Sequence, residues 1–146
     1  DADRSVFMEK LNKARETGGF QLYAYCLMDN HVHLLLKEGE DLGTSIKRIT
    51  VGYVQLHNNK YGRTGHLFQN RFSSEAVEDD KYLMTVIWYI HRNPLKTGMV
   101  SRLKEYSWSS YQQIIQAYQG NTSIIDHRYG DHQRIFSDRS RFYSIF

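Results

Sequence analysis

Tyr25-Cys26-Leu27-Met28-Asp29-Asn30-His31-Val32-His33-Leu34-Leu35-Leu36-Lys37 is the stretch on which the fold turns. In its second half Val32, Leu34 and Leu36 alternate with His31, His33 and Leu35, the two-residue period of a strand. His31 and His33 then stand on one face, a few Å apart, with their rings aimed the same way. Two neutral imidazoles so placed are two thirds of a metal site. The same pattern also arises from histidines that are simply buried or lie at a surface, so a third ligand has to be sought elsewhere in the chain.

On the N-terminal side, Phe20 to Cys26 alternates as a second strand, and Met28-Asp29-Asn30 supplies turn chemistry. The two strands make an antiparallel hairpin. A helix precedes them, capped by Asp3 or Ser5 and carrying Val6, Phe7, Leu11 and Ala14, with Gly18-Gly19 as its end. After the hairpin, Gly39 to Asp41 turns the chain into a second helix over 42–60. Leu42, Ile46, Ile49, Tyr53 and Leu56 form its core face, with Lys47, Arg48 and Lys60 off it. A Gly-bracketed loop, Tyr61-Gly62-Arg63-Thr64-Gly65, leads to a strand over 66–72. A third helix over 81–92 follows Asp79 or Asp80, with Leu83, Val86, Ile87 and Ile90 as its stripe and Asn93-Pro94 as its close. Ser107 or Ser109 caps a fourth helix that ends at Gly120.

Helix, strand, strand, helix, strand, helix is the βαββαβ ferredoxin-like plan without its leading strand. The expected class is therefore α+β, an antiparallel sheet with helices packed on one face and the first strand missing. That plan sets the missing strand in the middle of the sheet, which leaves an edge unpaired. A longer gene product or a partner chain is expected to fill it. Residues 1–120 read as one domain and residues 121–146 as an appendage packed on it.

Composition narrows the function classes. The 146 residues are 40% hydrophobic and 24% charged, ordinary for a soluble globular chain. A formal charge of +3 and an isoelectric point near 9.0 lean towards an anionic partner. Cys26 is the single cysteine, which excludes an intrachain disulfide and a Cys-x-x-Cys zinc site. No run approaches the roughly 20 apolar residues of a membrane span, so a cytoplasmic protein is expected.

The third helix carries the remaining chemistry. At about 100° per residue, Tyr89 and Asn93 lie roughly 70–110° to one side of the core stripe. They are four apart and hence neighbours. If that helix crosses the face bearing His31 and His33, a phenol, an amide oxygen and two imidazoles converge. Such a set suits Mg²⁺ or Mn²⁺ without excluding Zn²⁺. A cation there polarises a phosphodiester oxygen, and the phenol becomes a nucleophile that leaves a DNA phosphotyrosine. A tyrosine in an aromatic helix and an asparagine before proline are, equally, ordinary packing and turn residues.

Four segments together resemble the HUH single-tyrosine transposases, in their REP-associated branch. Met28 to Leu36 is similar to M-P-N-H-V-H-L-L, Gly65 to Phe72 to G-H-L-W-Q-G-R-F, Tyr89 to Val100 to Y-I-E-x-N-P-V-R-A-G-L-V, and Ser107 to Ser110 to a closing W-S-S. They fall in family order between about Phe20 and Tyr111. The departures are Asp29 for Pro, Phe68 for Trp, Asn70 for Gly, and His91-Arg92 within the tyrosine motif.

The resemblance implies a metal-dependent endonuclease and strand transferase, a prokaryotic transposase acting on single-stranded DNA with hairpins. Tyr89 would be its nucleophile, and His31, His33 and Asn93 its metal ligands. Arg63, Arg71, Lys47, Arg48, Arg92 and Lys96 become phosphate-contact candidates and Tyr61 a base stacker; each is also at home as a plain surface residue. His66 and Asn30 would support the site from behind. The REP-associated likeness favours a monomer over a homodimer. The rival readings are a metal nuclease that uses water and a hairpin-binding protein without turnover.

Overall fold

Helix α1 (Ala2–Gly18) stops where Gly19 takes up a φ of 67°, a left-handed conformation that favours glycine. Its first turn is preceded by Asp1 rather than capped from within by Asp3 or Ser5. The structure, a computed structural model, describes residues 1–65, 67, 72–119 and 142–145. They divide into two compact units, Asp1–Phe20 with Glu38–Phe72, and Gln21–Lys37 with Ser73–Phe146.

In the first unit α1 runs antiparallel to α2 (Leu42–Tyr61). Lys60 Nζ near the end of α2 lies 2.8 Å from Asp3 at the start of α1, and the Phe7 ring meets Tyr53 edge-on at 5.2 Å. Asp41 caps α2, accepting from the Thr44 amide at 2.9 Å. Ile46 and Ile49 are buried as the periodicity predicts, but Leu56 on the same face is 42% exposed. The chain leaves the hairpin through Gly39, where a Cβ would run into the backbone of Gly18 and Gly19. Only glycine fits that approach.

The second unit holds the sheet. Strands β1 (Gln21–Leu27) and β2 (Val32–Lys37) form the expected hairpin, with Cys26 opposite His33 and Leu27 opposite Val32. The third strand, β3, lies at Ser74–Val77. The strand expected over 66–72 falls mostly outside the described residues, and Phe72, which is within them, precedes β3 and is exposed. A fourth strand, β4 (Phe142–Ile145), pairs antiparallel with both β2 and β3, and the sheet order is β1-β2-β4-β3. This is the ferredoxin-like arrangement, with β4 in the slot that the plan assigns to a leading strand. The expectation of an unpaired gap between β2 and β3 is thereby corrected, because a C-terminal segment supplies both missing ladders.

Helix α3 (Asp80–Lys96) packs on β1 and β2. Leu83, Val86, Ile87 and Ile90 bury against Ala24, Cys26 and Leu35, together with Tyr106 and Ile114. At about 25 cal/mol per Å² of apolar surface removed from water, this seam is what seats the helix. The helix does not close at Asn93-Pro94 as its sequence suggests; Pro94 lies inside it and it continues to Lys96. Pro94 has no N–H for the Ile90 carbonyl, and the Asn93 side-chain Nδ2 lies 3.5 Å from that oxygen in its place. With the lost donor replaced so near the C-terminus, the helix runs on to Thr97, whose amide reaches Asn93 O at 3.0 Å.

Beyond α3, a 3-10 turn at Leu103–Glu105 and α4 (Tyr111–Tyr118) complete the unit; α4 starts later than a Ser107 or Ser109 cap implies, and Gly120 lies outside the described residues. Between them, Trp108 to Ser110 runs along the outer edge of β1. Leu27 N donates to Trp108 O at 2.8 Å and Ser110 N to Tyr25 O at 3.0 Å, which covers an edge that would otherwise be open.

Candidate active site

The site grows from the end of the face that α3 covers. Along β2, Leu35 belongs to the core and His33, two residues earlier, lies on the same face beyond it. His33 is 3% exposed, and its ring contacts His31 edge-on with centroids 4.7 Å apart. Burial first, and the neighbouring His31 second, hold the His33 imidazole down to about 4, so it is neutral near pH 7. His31 sits just before β2, in the turn that Met28 N closes on His31 O at 2.9 Å. Its Nδ1 lies 2.5 Å from Asn30 Oδ1. An amide oxygen only accepts, so this contact suits the tautomer that carries its proton on Nδ1 and leaves the Nε2 lone pair for a metal.

Helix α3 brings the other two groups. Tyr89 is 43% exposed and meets the His33 ring edge-on at 5.8 Å. Asn93 is one turn further along and buried. Its Nδ2 donates to Tyr89 O at 3.0 Å, so the donor end of the amide is turned into its own helix and the oxygen end is turned away from it. The substitution for the proline's missing donor is therefore also what orients Oδ1. Among the described residues no three His, Cys, Asp or Glu side chains gather as a metal cluster. A metal at this position would draw on two imidazoles and an amide oxygen, all neutral, a set that a divalent cation with open positions accepts.

The remaining expected residues are spread more widely. Arg92 and Lys96 follow Tyr89 on α3, both exposed, with the Arg92 guanidinium 5.5 Å from the centre of the Trp88 ring. Lys47, Arg48, Tyr61 and Arg63 belong to the other unit. Arg48 is held by Glu40 at 2.7 Å, which raises the guanidinium above its usual value through that hydrogen bond. The Tyr61 hydroxyl donates to Asp3 at 2.7 Å, while Lys60 covers its ring at 4.8 Å, so one stacking face is already engaged. His66 and Arg71 lie outside the described residues.

One arrangement was not anticipated from the sequence. His91, two residues after Tyr89, is buried, and its Nε2 lies 2.7 Å from Ser110 Oγ. Ser110 also accepts from Tyr25 N at 2.9 Å and reaches Tyr25 O at 3.2 Å. The serine thus ties α3 to β1. Burial holds His91 down to about 4, so the tie is between neutral groups. A histidine within the tyrosine segment and a serine pair after Trp108 were the available signals, but nothing local connects them.

Comparison with known proteins places these observations. Residues 1–93 match the family described as Transposase IS200 like. A protein of Haemophilus influenzae described as a REP-associated tyrosine transposase is 29% identical over 137 residues, covering 80% of this chain and 77% of that one. Among solved structures, one of a REP-associated tyrosine transposase bound to a REP hairpin superposes with a TM-score of 0.66 at 20% identity, over 84% of this chain and 72% of that chain.

Proposed function

The chain belongs to the IS200-like transposase family and is a tyrosine transposase, and from that premise we propose that it cuts and rejoins single-stranded DNA near hairpins, with Tyr89 as the nucleophile. The observation that carries this reading is the seating of an exposed Tyr89 ring 5.8 Å from His33, itself 4.7 Å from His31. His31, His33 and Asn93 would hold a divalent cation, Mg²⁺ or Mn²⁺, which when bound supplies Lewis-acid polarisation of a phosphodiester oxygen.

The chain's own residues do the rest. Tyr89 Oη attacks phosphorus and gives up its proton; the Oη–P bond forms as the P–O bond to the leaving strand breaks, and the leaving sugar oxygen takes up a proton. The phosphotyrosine keeps the bond energy, so a hydroxyl end of another strand reverses the step and joins. Asn30 holds His31 in the tautomer that exposes Nε2, and Asn93 holds its oxygen outward while sealing the helix behind it. Burial beside the α3 seam keeps His33 neutral. Arg92 and Lys96, on the helix that carries Tyr89, supply cations for the scissile strand. All four central groups come from one compact unit of one chain, which supports a monomer. A prokaryotic cytoplasmic location, where such DNA lies, is part of the same proposal. Among the described residues no helix is long and apolar enough to cross a membrane.

The test is a denaturing gel of labelled hairpin-bearing single-stranded DNA incubated with the protein and Mg²⁺ or Mn²⁺. A protein–DNA adduct that disappears in Tyr89→Phe and with a chelator is expected. Cleavage that survives Tyr89→Phe indicates a water-using nuclease instead. A mobility shift with no cleavage indicates a binding protein.

A further inference from the structure

Tyr89 and His91 lie on opposite flanks of the apolar stripe of α3. Two residues are about 200° of helical turn, and Ile90 between them is buried in the core. Apolar burial is non-directional, whereas a hydrogen bond tolerates only a narrow range of length and angle. The stripe therefore seats the helix, and the bond from His91 Nε2 to Ser110 Oγ, at 2.7 Å, sets its rotation. Both residues are buried, so water does not compete for that bond.

The serine end of the bond is anchored to the histidine hairpin. Ser110 Oγ accepts from Tyr25 N at 2.9 Å, and Ser110 N donates to Tyr25 O at 3.0 Å. Two residues along β1, Leu27 N donates to Trp108 O at 2.8 Å, and the Tyr106 hydroxyl donates to Leu27 O at 2.5 Å. These clamps stand on either side of Cys26, which faces His33 across the hairpin. Ser110 thus moves with the strand pair that carries His33, and His91 ties the helix of Tyr89 to it. All of these residues belong to one compact unit. A helix with its side chains is about 10–12 Å across, so a rotation of about 10° carries a side-chain tip by about 1 Å. A misplacement of about 1 Å can slow a reaction about 10²-fold.

We propose that His91, acting through Ser110, is a positioning residue that holds the Tyr89 ring in register with His33. The proposal rests on the reading of Tyr89 as nucleophile for its effect on the reaction, but the geometry has a readout of its own. In DNA-free protein, the nuclear Overhauser cross-peak between the Tyr89 and His33 rings reports their seating, 5.8 Å apart between centroids. The second readout is the single-turnover rate of adduct formation with saturating hairpin-bearing single-stranded DNA and Mn²⁺, set beside the affinity for the same DNA.

H91L keeps an apolar side chain but loses the bond. It is expected to lose the cross-peak and to form adduct about 10²-fold more slowly, with DNA affinity as in wild type. H91Q, whose amide reaches the place of Nε2, should keep the cross-peak and restore the rate. S110A breaks the same link from the other side and carries the comparison if H91L does not fold; H91L/S110A should be no slower than either single variant. A cross-peak and rate unchanged in H91L or S110A, H91Q slowed as far as H91L, or additive losses in the double variant overturn the proposal. If the cross-peaks follow expectation but wild type forms no adduct, the positioning stands and the proposed function fails. If wild type forms the adduct and H91L and S110A match it in both readouts, the function stands and the positioning fails.

Discussion

Ser110→Ala removes a single oxygen, yet that oxygen serves two chains of contact. Ser110 is fully buried, and its hydroxyl accepts from the Tyr25 amide at 2.9 Å while lying 2.7 Å from His91 Nε2. Alanine leaves the Tyr25 N–H and the His91 ring nitrogen with no replacement in a site closed to water. Each buried polar group so stranded costs about 1–3 kcal/mol, and the volume change is too small for a cavity term of that size. We expect a loss of about 3 kcal/mol by urea denaturation with the slope m unchanged. With m about 2 kcal/mol/M for a small protein, the midpoint moves down by about 1.5 M. Ser107→Ala, at an exposed position of the same segment, should stay within about 0.5 kcal/mol. A Ser110→Ala loss no larger than that control would refute the tie between α3 and β1.

Other expectations follow from the same geometry. His91 is neutral in the fold, with its value lowered from 6.5 to about 4 by burial, so the unfolded chain binds more protons between those limits. Its contribution is fully present above pH 6.5 and is lost as pH falls towards 4, by about 3 kcal/mol in all. Denaturation curves at several pH values should show a shallower acid loss in His91→Gln. Asp41→Ala, which strips the cap from the Thr44 amide at 2.9 Å, should cost about 1 kcal/mol. Asn93→Asp keeps an oxygen at the Tyr89 site but loses the donor to the Tyr89 and Ile90 carbonyls. It is expected to lose about 1 kcal/mol of stability while retaining Mn²⁺-dependent adduct formation; an adduct lost with stability unchanged would separate the two roles the other way.

Local pattern carried much of the candidate site. The alternation around His31 and His33 placed both rings on one face, and Asn30 beside them was readable as a supporting group. The four-residue step from Tyr89 to Asn93 placed both on one flank of a helix whose stripe was already plain in Leu83, Val86, Ile87 and Ile90. Periodicity of this kind depends only on backbone geometry, so it survives without knowledge of the fold. It failed where a side chain takes over the role of a missing backbone donor. Asn93-Pro94 reads as a helix stop, but the asparagine amide lies over the carbonyl that proline leaves bare, and the helix continues.

Which faces are apolar, which residues are neighbours along one element, and which side chains can bind a metal or attack a phosphate are all set by the sequence itself. Tertiary structure alone decided that Phe142–Ile145 enters the sheet between β2 and β3, and that Ser110 reaches back to His91 and Tyr25. It also decided that Lys10 and Lys13 of α1 line one hollow with Lys47 and Arg48 of α2. A strand edge, a hydroxyl or an ammonium group carries no address for its partner. The choice is made when chain segments remote in sequence compete to satisfy the same buried hydrogen bonds and cover the same apolar surface.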